Sequence, residues 1–271
     1  MTLVSTNWLN KNLNKVKIID ASWHLDKNRN AFEEYSKEHI ENAIFFDLDK
    51  NSNKKKGLPH GHFLPLASNH KKAVSKMGIL NTDRIIIYCC SNLISSCRAW
   101  FQFLYFGHDP KLVSVLNGGM KKWKLERKKV TNIKNKIILS RYFVKENKNM
   151  IKVKSEIEKN VKNKKFTVLD ARSQNRFLGL EPEPRSGIKS GSIEGSKSLP
   201  LLKLVNTKNN TFFNKKKLKH IFSLRKANNN EIVMSCGSSV SASSLALAYS
   251  MINDDYISKI YIGSWSEYGK K

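Results

Sequence analysis

The chain has 271 residues, of which 40% are hydrophobic and 10% aromatic, and it carries a formal net charge of +27. This length and apolar content exclude a disordered chain and are sufficient for two domains with a core each. No run approaches the roughly 20 apolar residues that cross a bilayer, and the N-terminal residues lack the pattern of a secretory signal. We therefore expect a cytoplasmic protein with no membrane contact.

The lysines that produce the charge are spread along the chain in runs mixed with asparagine. Such runs are typical of solvated loops, and they lack the interleaved aromatic residues on which single-strand nucleic-acid binders stack bases. We therefore expect no dedicated nucleic-acid binding, although a positive surface would attract anionic substrates or acidic partners.

The four cysteines, at positions 89, 90, 97 and 236, are too few for a disulfide framework. None of them has the Cys/His spacing of a zinc site. The sequence therefore predicts free thiols, no metal and no other cofactor.

Short apolar strands alternate with helices along the chain, and the pattern occurs twice. The pattern in the first half predicts, in chain order, a strand at 17–21, a strand at 84–89, a helix at 95–106 and a strand at 112–116. The second half predicts a strand at 166–171, a strand at 231–235, a helix at 243–251 and a strand at 259–263.

Matching landmarks in the two halves stand 145 to 150 residues apart, namely Asp20 with Asp170, Cys89 with Cys236, Gly118 with Gly263, and Trp123 with Tyr268. Near-constant separations indicate a duplication.

The sequence thus predicts an α/β fold of two tandem domains, each a mostly parallel sheet with helices on both faces. We place the domains at 1–135 and 153–271, with 136–152 as the linker.

Cys236 follows the predicted strand at 231–235 and precedes a loop of small residues and an apolar helix. A cysteine at such a turn lies below free backbone N–H groups and at the positive end of a helix dipole, which both favour the thiolate. The small residues after it leave the sulfur little cover. The segment therefore predicts a nucleophile rather than a buried apolar cysteine.

A cysteine phosphatase is one alternative, since its cysteine is also cradled by backbone amides. That chemistry needs an arginine six positions after the cysteine to hold the phosphate by two parallel hydrogen bonds. Position 242 is an alanine, which argues against a phosphatase.

Taken together, these motifs resemble the two-domain rhodanese family of sulfurtransferases over nearly the whole chain. They lie, in chain order, at 20–25, 39–47, 95–100, 115–119, 170–172, 176–187 and in the loop after Cys236. The resemblance implies a catalytic second domain closed by a non-catalytic first domain. It also implies that the cysteine takes a sulfane sulfur from a donor, holds it as a persulfide and passes it to a thiophilic acceptor.

The loop after the cysteine distinguishes two branches of that family. Thiosulfate sulfurtransferases carry basic residues there, whereas the 3-mercaptopyruvate branch carries a neutral loop. Here the loop reads Gly237, Ser238, Ser239, Val240 and Ser241. It resembles the 3-mercaptopyruvate branch, and the resemblance implies that the amides of 237–242 hold the persulfide anion.

Two arginines, Arg176 and Arg185, match the family's substrate arginines. A guanidinium group pairs well with a carboxylate and a neighbouring carbonyl oxygen. The alternative for each arginine is an ion pair with Glu181 or Glu183.

The resemblance also assigns proton transfer to Ser238, to Asp49 and to a histidine, all acting with Cys236. Both His60 and His62 fit that histidine, and we prefer His62 because it precedes the Leu-Pro sequence of the family motif.

One loop position departs from the family, because Ser239 replaces a glycine. The loop is restricted if that residue needs a positive φ. In the first half, Cys89 is equivalent to Cys236, and we expect it to be a buried strand-end cysteine.

The expected partners are 3-mercaptopyruvate as the donor and, as the acceptor, a small thiol or thioredoxin, with the protein acting as a monomer. Two alternatives stay open. The donor could be thiosulfate, with cyanide or a thiol as the acceptor, or the protein could be a persulfide carrier or scaffold without turnover.

Overall fold

The computed structural model describes residues 2–55, 58–91, 94–225, 231–253 and 256–271, and within these ranges it leaves out the side chains of residues 55, 59, 60 and 94. The strands are β1 (Leu3–Val4), β2 (Lys17–Asp20), β3 (Ala43–Phe45), β4 (Asn53–Lys55), β5 (Leu58–Phe63), β6 (Ile85–Tyr88), β7 (Val113–Leu116), β8 (Ile151–Lys152), β9 (Phe166–Asp170), β10 (Lys197–Ser198), β11 (Val205–Asn206), β12 (Thr211–Phe212), β13 (Glu231–Ser235) and β14 (Lys259–Tyr261). The α-helices are α1 (Thr6–Asn10), α2 (Ala31–Lys37), α3 (Ala67–Lys76), α4 (Ile94–Tyr105), α5 (Gly119–Leu125), α6 (Lys154–Asn163), α7 (Gln174–Leu178), α8 (Lys215–Ser223), α9 (Val240–Ser250) and α10 (Ser264–Tyr268).

The chain divides into two compact units that are not continuous in sequence. The first unit comprises 1–52, 65–147 and 206–212, and the second comprises 53–64, 148–205 and 213–271. The hairpin of β4 and β5 therefore belongs to the second unit. The domain boundaries inferred above, 1–135 and 153–271 with a linker at 136–152, stay a prediction.

The first unit is built on a five-stranded sheet with the order β1-β7-β6-β2-β3, and all its neighbouring strands are parallel. Its central strand β6 has the sequence Ile-Ile-Ile-Tyr and is buried along its whole length. A continuous apolar run is what a parallel strand needs when both faces of the sheet are covered. Ile86 of this strand packs in a core with Leu9, Ile18 and Trp123, which are fully buried.

The second unit is built on a five-stranded sheet with the order β10-β9-β13-β14-β8, again with parallel neighbours throughout. Val168 and Val233, from the adjacent strands β9 and β13, pack with Ile157, Tyr261 and Trp265 in its core. Nearly every residue of α9 is buried. Its sequence of alanine, serine and leucine supplies small side chains that allow close packing on all sides.

The two sheets have the same topology. Read in the opposite direction, the second order becomes β8-β14-β13-β9-β10, which matches β1-β7-β6-β2-β3 strand for strand. The predicted α/β fold of two tandem parallel-sheet domains is confirmed. None of the helices in the described ranges is long and apolar enough to span a membrane.

Candidate active site

Cys236 lies at the carboxyl end of β13, the central strand of the second sheet. Ligands of parallel α/β sheets bind at this edge. Three residues separate the cysteine from α9, which begins at Val240. The side chain of its N-cap residue, Ser239, makes no capping hydrogen bond. The first N–H groups of an α-helix have no partner within the helix. This is the strand–cysteine–helix turn predicted from the sequence, although the helix begins three residues earlier than expected.

Ser264 organises the cysteine loop through its hydroxyl group. Its Oγ accepts the backbone N–H of Cys236 at 3.2 Å and that of Ser239 at 3.0 Å, and it donates to the carbonyl oxygen of Tyr261 at 2.9 Å. One donated and two accepted hydrogen bonds use the full capacity of a hydroxyl group. The Ser239 amide thus donates to Ser264, which corrects the expectation that all the amides of 237–242 hold the persulfide.

The first unit has a glycine at the position of Ser264. Gly119 has φ of 54° and Ser264 has φ of 48°. The residue after each of them donates its N–H to the carbonyl oxygen of the strand-end cysteine, Cys89 or Cys236. A serine in this left-handed region is strained where a glycine is not. The second unit therefore accepts backbone strain at a position from which a hydroxyl holds the cysteine loop.

Ser239 is the second strained residue of the loop, with φ of 63°. The restriction that we expected from a serine at this glycine position is therefore present. In return, its Oγ donates to the carbonyl oxygen of His62 at 3.2 Å. This bond ties the cysteine loop to β5, the strand that carries His62.

His62 and Ser238 are in direct contact. His62 Nδ1 lies 3.0 Å from Ser238 Oγ, and both residues are buried. The same Oγ accepts a hydrogen bond from Arg185 Nη2 at 3.1 Å. Because a guanidinium group only donates, the serine keeps its own proton available for the histidine. The three side chains form a chain of hydrogen bonds beside Cys236.

Both predicted substrate arginines reach the cysteine loop. A Cβ atom placed on Gly237 would lie 2.8 Å from Arg185 Nη1 and 3.2 Å from Arg176 Nη2. A larger residue at this position would therefore have to displace the two guanidinium groups. Burial lowers the pKa of Arg185. The nearby Cys236 raises this pKa, and the nearby cation of Arg176 lowers it further.

The two arginines differ in their acidic partners. Arg176 donates from Nη2 to Glu183 at 2.5 Å and from Nε at 3.2 Å, so the ion pair considered as its alternative role does form. In the part of the chain that the structure describes, no carboxylate lies within ion-pair distance of Arg185. Arg185 therefore offers an uncompensated cation beside Cys236.

Arg172 and Glu183 form a buried frame behind these arginines, and the sequence did not identify either as a site residue. Arg172 is paired with Asp170 at 2.7 Å and with Glu183 at 2.7 Å. Its guanidinium group also lies over the ring of Trp265, 4.7 Å from the centroid. The sequence did contain a signal for Glu183. Acidic residues alternate with prolines just before Arg185, and this places a carboxylate within reach of Arg176.

The remaining predicted residues are placed as follows. Val240 and Ser241 form the first turn of α9. Asp49 lies in the first unit, where its Oδ2 accepts a hydrogen bond from Trp23 Nε1 at 3.1 Å. The side chain of His60, the alternative to His62, is outside the described residues. The roles of Asp49 and of the histidine stay predictions.

Cys236 is only 2% exposed, so the prediction that small neighbours leave its sulfur little cover was wrong. The guanidinium groups of Arg176 and Arg185, which are distant in sequence, lie next to the adjacent Gly237. In the first unit, Cys89 is fully buried, and its thiol lies 3.5 Å from the carbonyl oxygen of Ser91.

The arrangement combines a cysteine sulfur at a strand end, two guanidinium groups and a hydroxyl–imidazole pair. These are the components of covalent catalysis on a small anionic substrate.

Comparison with known proteins agrees with this chemistry. The sequence pattern of the rhodanese-like domain matches residues 5–126 and 153–271. The thiosulfate/3-mercaptopyruvate sulfurtransferase 1, mitochondrial, of Arabidopsis thaliana is 33% identical, with 98% of this chain and 75% of the relative covered. The 3-mercaptopyruvate sulfurtransferase of Homo sapiens is 31% identical, with coverage of 98% and 91%.

A solved structure matches the whole fold. The crystal structure of SseA from Escherichia coli superposes with a TM-score of 0.86 at 27% identity. That structure represents the rhodanese fold and the catalytic mechanism of 3-mercaptopyruvate sulfotransferases. The superposition covers 98% of this chain and 99% of SseA. The chain therefore belongs to the rhodanese-like family, and it is a sulfurtransferase of the 3-mercaptopyruvate/thiosulfate type.

Proposed function

We propose that this sulfurtransferase takes sulfur from 3-mercaptopyruvate, carries it as a persulfide on Cys236 and passes it to a thiol. The observation that carries the proposal is the meeting of Arg176 and Arg185 over Gly237, next to the cysteine. A donor with a carboxylate several bonds from its thiol can bind to the guanidinium groups and still present its sulfur to Cys236. The neutral loop of residues 237–241 suits such a donor, because thiosulfate has its charge next to the transferred sulfur.

The first half-reaction forms one S–S bond and breaks one C–S bond. The Cys236 thiolate attacks the sulfur of 3-mercaptopyruvate, and the electron pair of the C–S bond passes to carbon as the enolate of pyruvate. The proton of the donor thiol then passes to that carbon, leaving pyruvate and a persulfide anion. His62 and Ser238, 3.0 Å apart, are placed to transfer this proton, and in our proposal Asp49 orients the imidazole. The loop amides other than that of Ser239 stabilise the persulfide.

In the second half-reaction, an acceptor thiol attacks the outer sulfur of the persulfide. This forms the acceptor's persulfide and returns the Cys236 thiolate, with the acceptor's proton passing to the transferred sulfur. We propose a small thiol or a thioredoxin as the acceptor and a monomeric, cytoplasmic enzyme as the working form.

Mass spectrometry tests the persulfide directly. The protein is treated with 3-mercaptopyruvate without an acceptor, alkylated and digested, and we expect one additional sulfur on Cys236 with release of an equal amount of pyruvate. Cys236→Ser should show neither, whereas Cys97→Ser, a change at a buried cysteine of the first unit, should behave like wild type. Sulfur on Cys89 or Cys90, or pyruvate release by Cys236→Ser, would contradict the proposal.

A further inference from the structure

Glu183 is a buried carboxylate that lies between two arginines. Its side chain is 2% exposed, and its Oε1 accepts from Arg172 Nη1 at 2.7 Å and from Arg176 Nε at 3.2 Å. Its Oε2 accepts from Arg176 Nη2 at 2.5 Å. Glu183 thus binds two of the three guanidinium nitrogens of Arg176 and compensates its charge.

The arginines of this cluster outnumber its carboxylates by one. The connected charges are the guanidinium groups of Arg172, Arg176 and Arg185 and the carboxylates of Asp170 and Glu183. Among these guanidinium and carboxylate groups there are three cations and two anions, and the arginine without a carboxylate partner among the described residues is Arg185, which interacts instead with Cys236.

We infer that Glu183 is a specificity-determining residue, which favours a monoanionic sulfur donor over a dianionic one by compensating the charge of Arg176. The inference rests on the proposed function, because it assumes that the donor binds at Arg176 and Arg185. If Glu183 lost its charge, Arg176 would become a second free cation over Gly237. A dianion such as thiosulfate would gain about twice as much from that cation as a carboxylate would.

The size of this effect follows from Coulomb's law. At an effective dielectric constant of about 20, one more unit charge a few ångströms away changes an equilibrium constant by roughly tenfold or more. We expect Glu183→Gln, which keeps the size and one acceptor of the side chain, to raise the ratio of kcat/KM for thiosulfate to kcat/KM for 3-mercaptopyruvate about tenfold.

Glu181→Gln is the matched control. It removes the same charge two residues away, from a carboxylate that accepts a hydrogen bond from Ser173 Oγ at 2.6 Å and is not part of the arginine cluster. The ratio for this variant should stay within about twofold of the wild-type ratio, since a more exposed charge is strongly screened. If both variants shift the ratio equally, the effect is one of overall charge and the inference is wrong.

Glu183→Asp distinguishes an effect of the charge from an effect of the geometry, because it keeps the carboxylate but shortens the side chain. We expect it to raise KM for both donors while it keeps the wild-type donor ratio. If it instead shifts the ratio as far as Glu183→Gln does, Glu183 acts through geometry and the inference is overturned.

Inhibition by sulfate, a dianion, and by pyruvate, a monoanion, gives a second readout that does not depend on sulfur transfer. In correctly folded Glu183→Gln, the inhibition constant for sulfate should fall relative to that for pyruvate. An unchanged ratio of inhibition constants would contradict the inference. The proposed function fails differently, since its failure would appear as a preference of the wild-type protein for thiosulfate.

Discussion

The hydroxyl group of Ser264 holds the backbone N–H of Cys236 at 3.2 Å, and it does so from a left-handed backbone conformation with φ of 48°. The N–H of Ser239 shares the same oxygen. A strained serine therefore fixes both ends of the short loop that begins at Cys236.

We predict that Ser264→Ala lowers both stability and turnover. The change leaves two buried N–H groups without an acceptor, and each should cost about 1–3 kcal/mol. Chemical unfolding and kcat with 3-mercaptopyruvate measure the two effects. Ser266→Ala is the control, because this buried serine of α10 donates to the carbonyl oxygen of Gly263 and leaves the loop amides untouched. Ser264→Gly should be less destabilised than Ser264→Ala by about 1 kcal/mol, since only the glycine relieves the strain.

Ser239→Gly should change stability little, because two effects oppose each other. Glycine relieves the strain of φ at 63°, which is worth about 1–2 kcal/mol. The change also removes the hydrogen bond to the carbonyl oxygen of His62, which contributes about 0.5–1.5 kcal/mol. Ser239→Val should be strongly destabilised, since a β-branched residue tolerates this φ poorly. Equal stability of the glycine and valine variants, measured by thermal unfolding, would rule out this explanation.

Arg172→Met should destabilise the second unit by roughly 3–5 kcal/mol, since it leaves two buried carboxylates without their cation. The carboxylates are Asp170 and Glu183, each 2.7 Å from the guanidinium group, whose side chain is fully buried. Urea unfolding provides the measurement. Arg141→Met, a change at an exposed arginine that lies over Phe143, should cost less than about 1 kcal/mol. Similar losses in the two variants would show that the buried network contributes little.

Asp20 should make the stability of the first unit depend on pH. Burial raises the pKa of its carboxyl from 3.8 to about 6. Between these values the unfolded chain loses the proton while the folded chain keeps it, so stability falls as pH rises to about 6 and is then constant. The shift corresponds to roughly 3 kcal/mol.

Asp20→Asn tests that dependence, because the amide cannot ionise but can still accept the N–H of Ser22. The variant should gain stability over wild type as pH rises from about 4 to about 6, measured as the free energy of unfolding at several pH values. Asp170→Asn is the comparison, since the equivalent aspartate of the second unit is paired with Arg172; it should lose stability. A constant difference between Asp20→Asn and wild type across this range would contradict the assignment.

Local patterns were sufficient for the parts of the protein that are continuous in sequence. The apolar runs at β2, β6, β9 and β13 and the spacing of Asp20 and Asp170 predicted both sheets and their duplication, because parallel strands covered on both faces must be apolar throughout. The turn at Cys236 was predictable for the same reason, as a strand end followed by small residues and an apolar helix.

The missed features depend on contacts between distant segments. Arg176 and Arg185 lie next to Gly237 although they are about 50 to 60 residues away in sequence, and Cys236 is buried in spite of its small neighbours. Ser264 did leave a signal in the duplication. It stands 145 residues after Gly119, and a serine in place of a glycine that needs a positive φ indicates a function for its hydroxyl group.

The ratio of kcat/KM for 3-mercaptopyruvate to kcat/KM for thiosulfate, measured on wild-type protein with one common thiol acceptor, tests the central proposal most directly. With Arg185 as the uncompensated cation and a neutral loop after Cys236, the ratio should favour 3-mercaptopyruvate by tenfold or more, which corresponds to about 1.4 kcal/mol of transition-state stabilisation. A ratio that clearly favours thiosulfate would contradict the account.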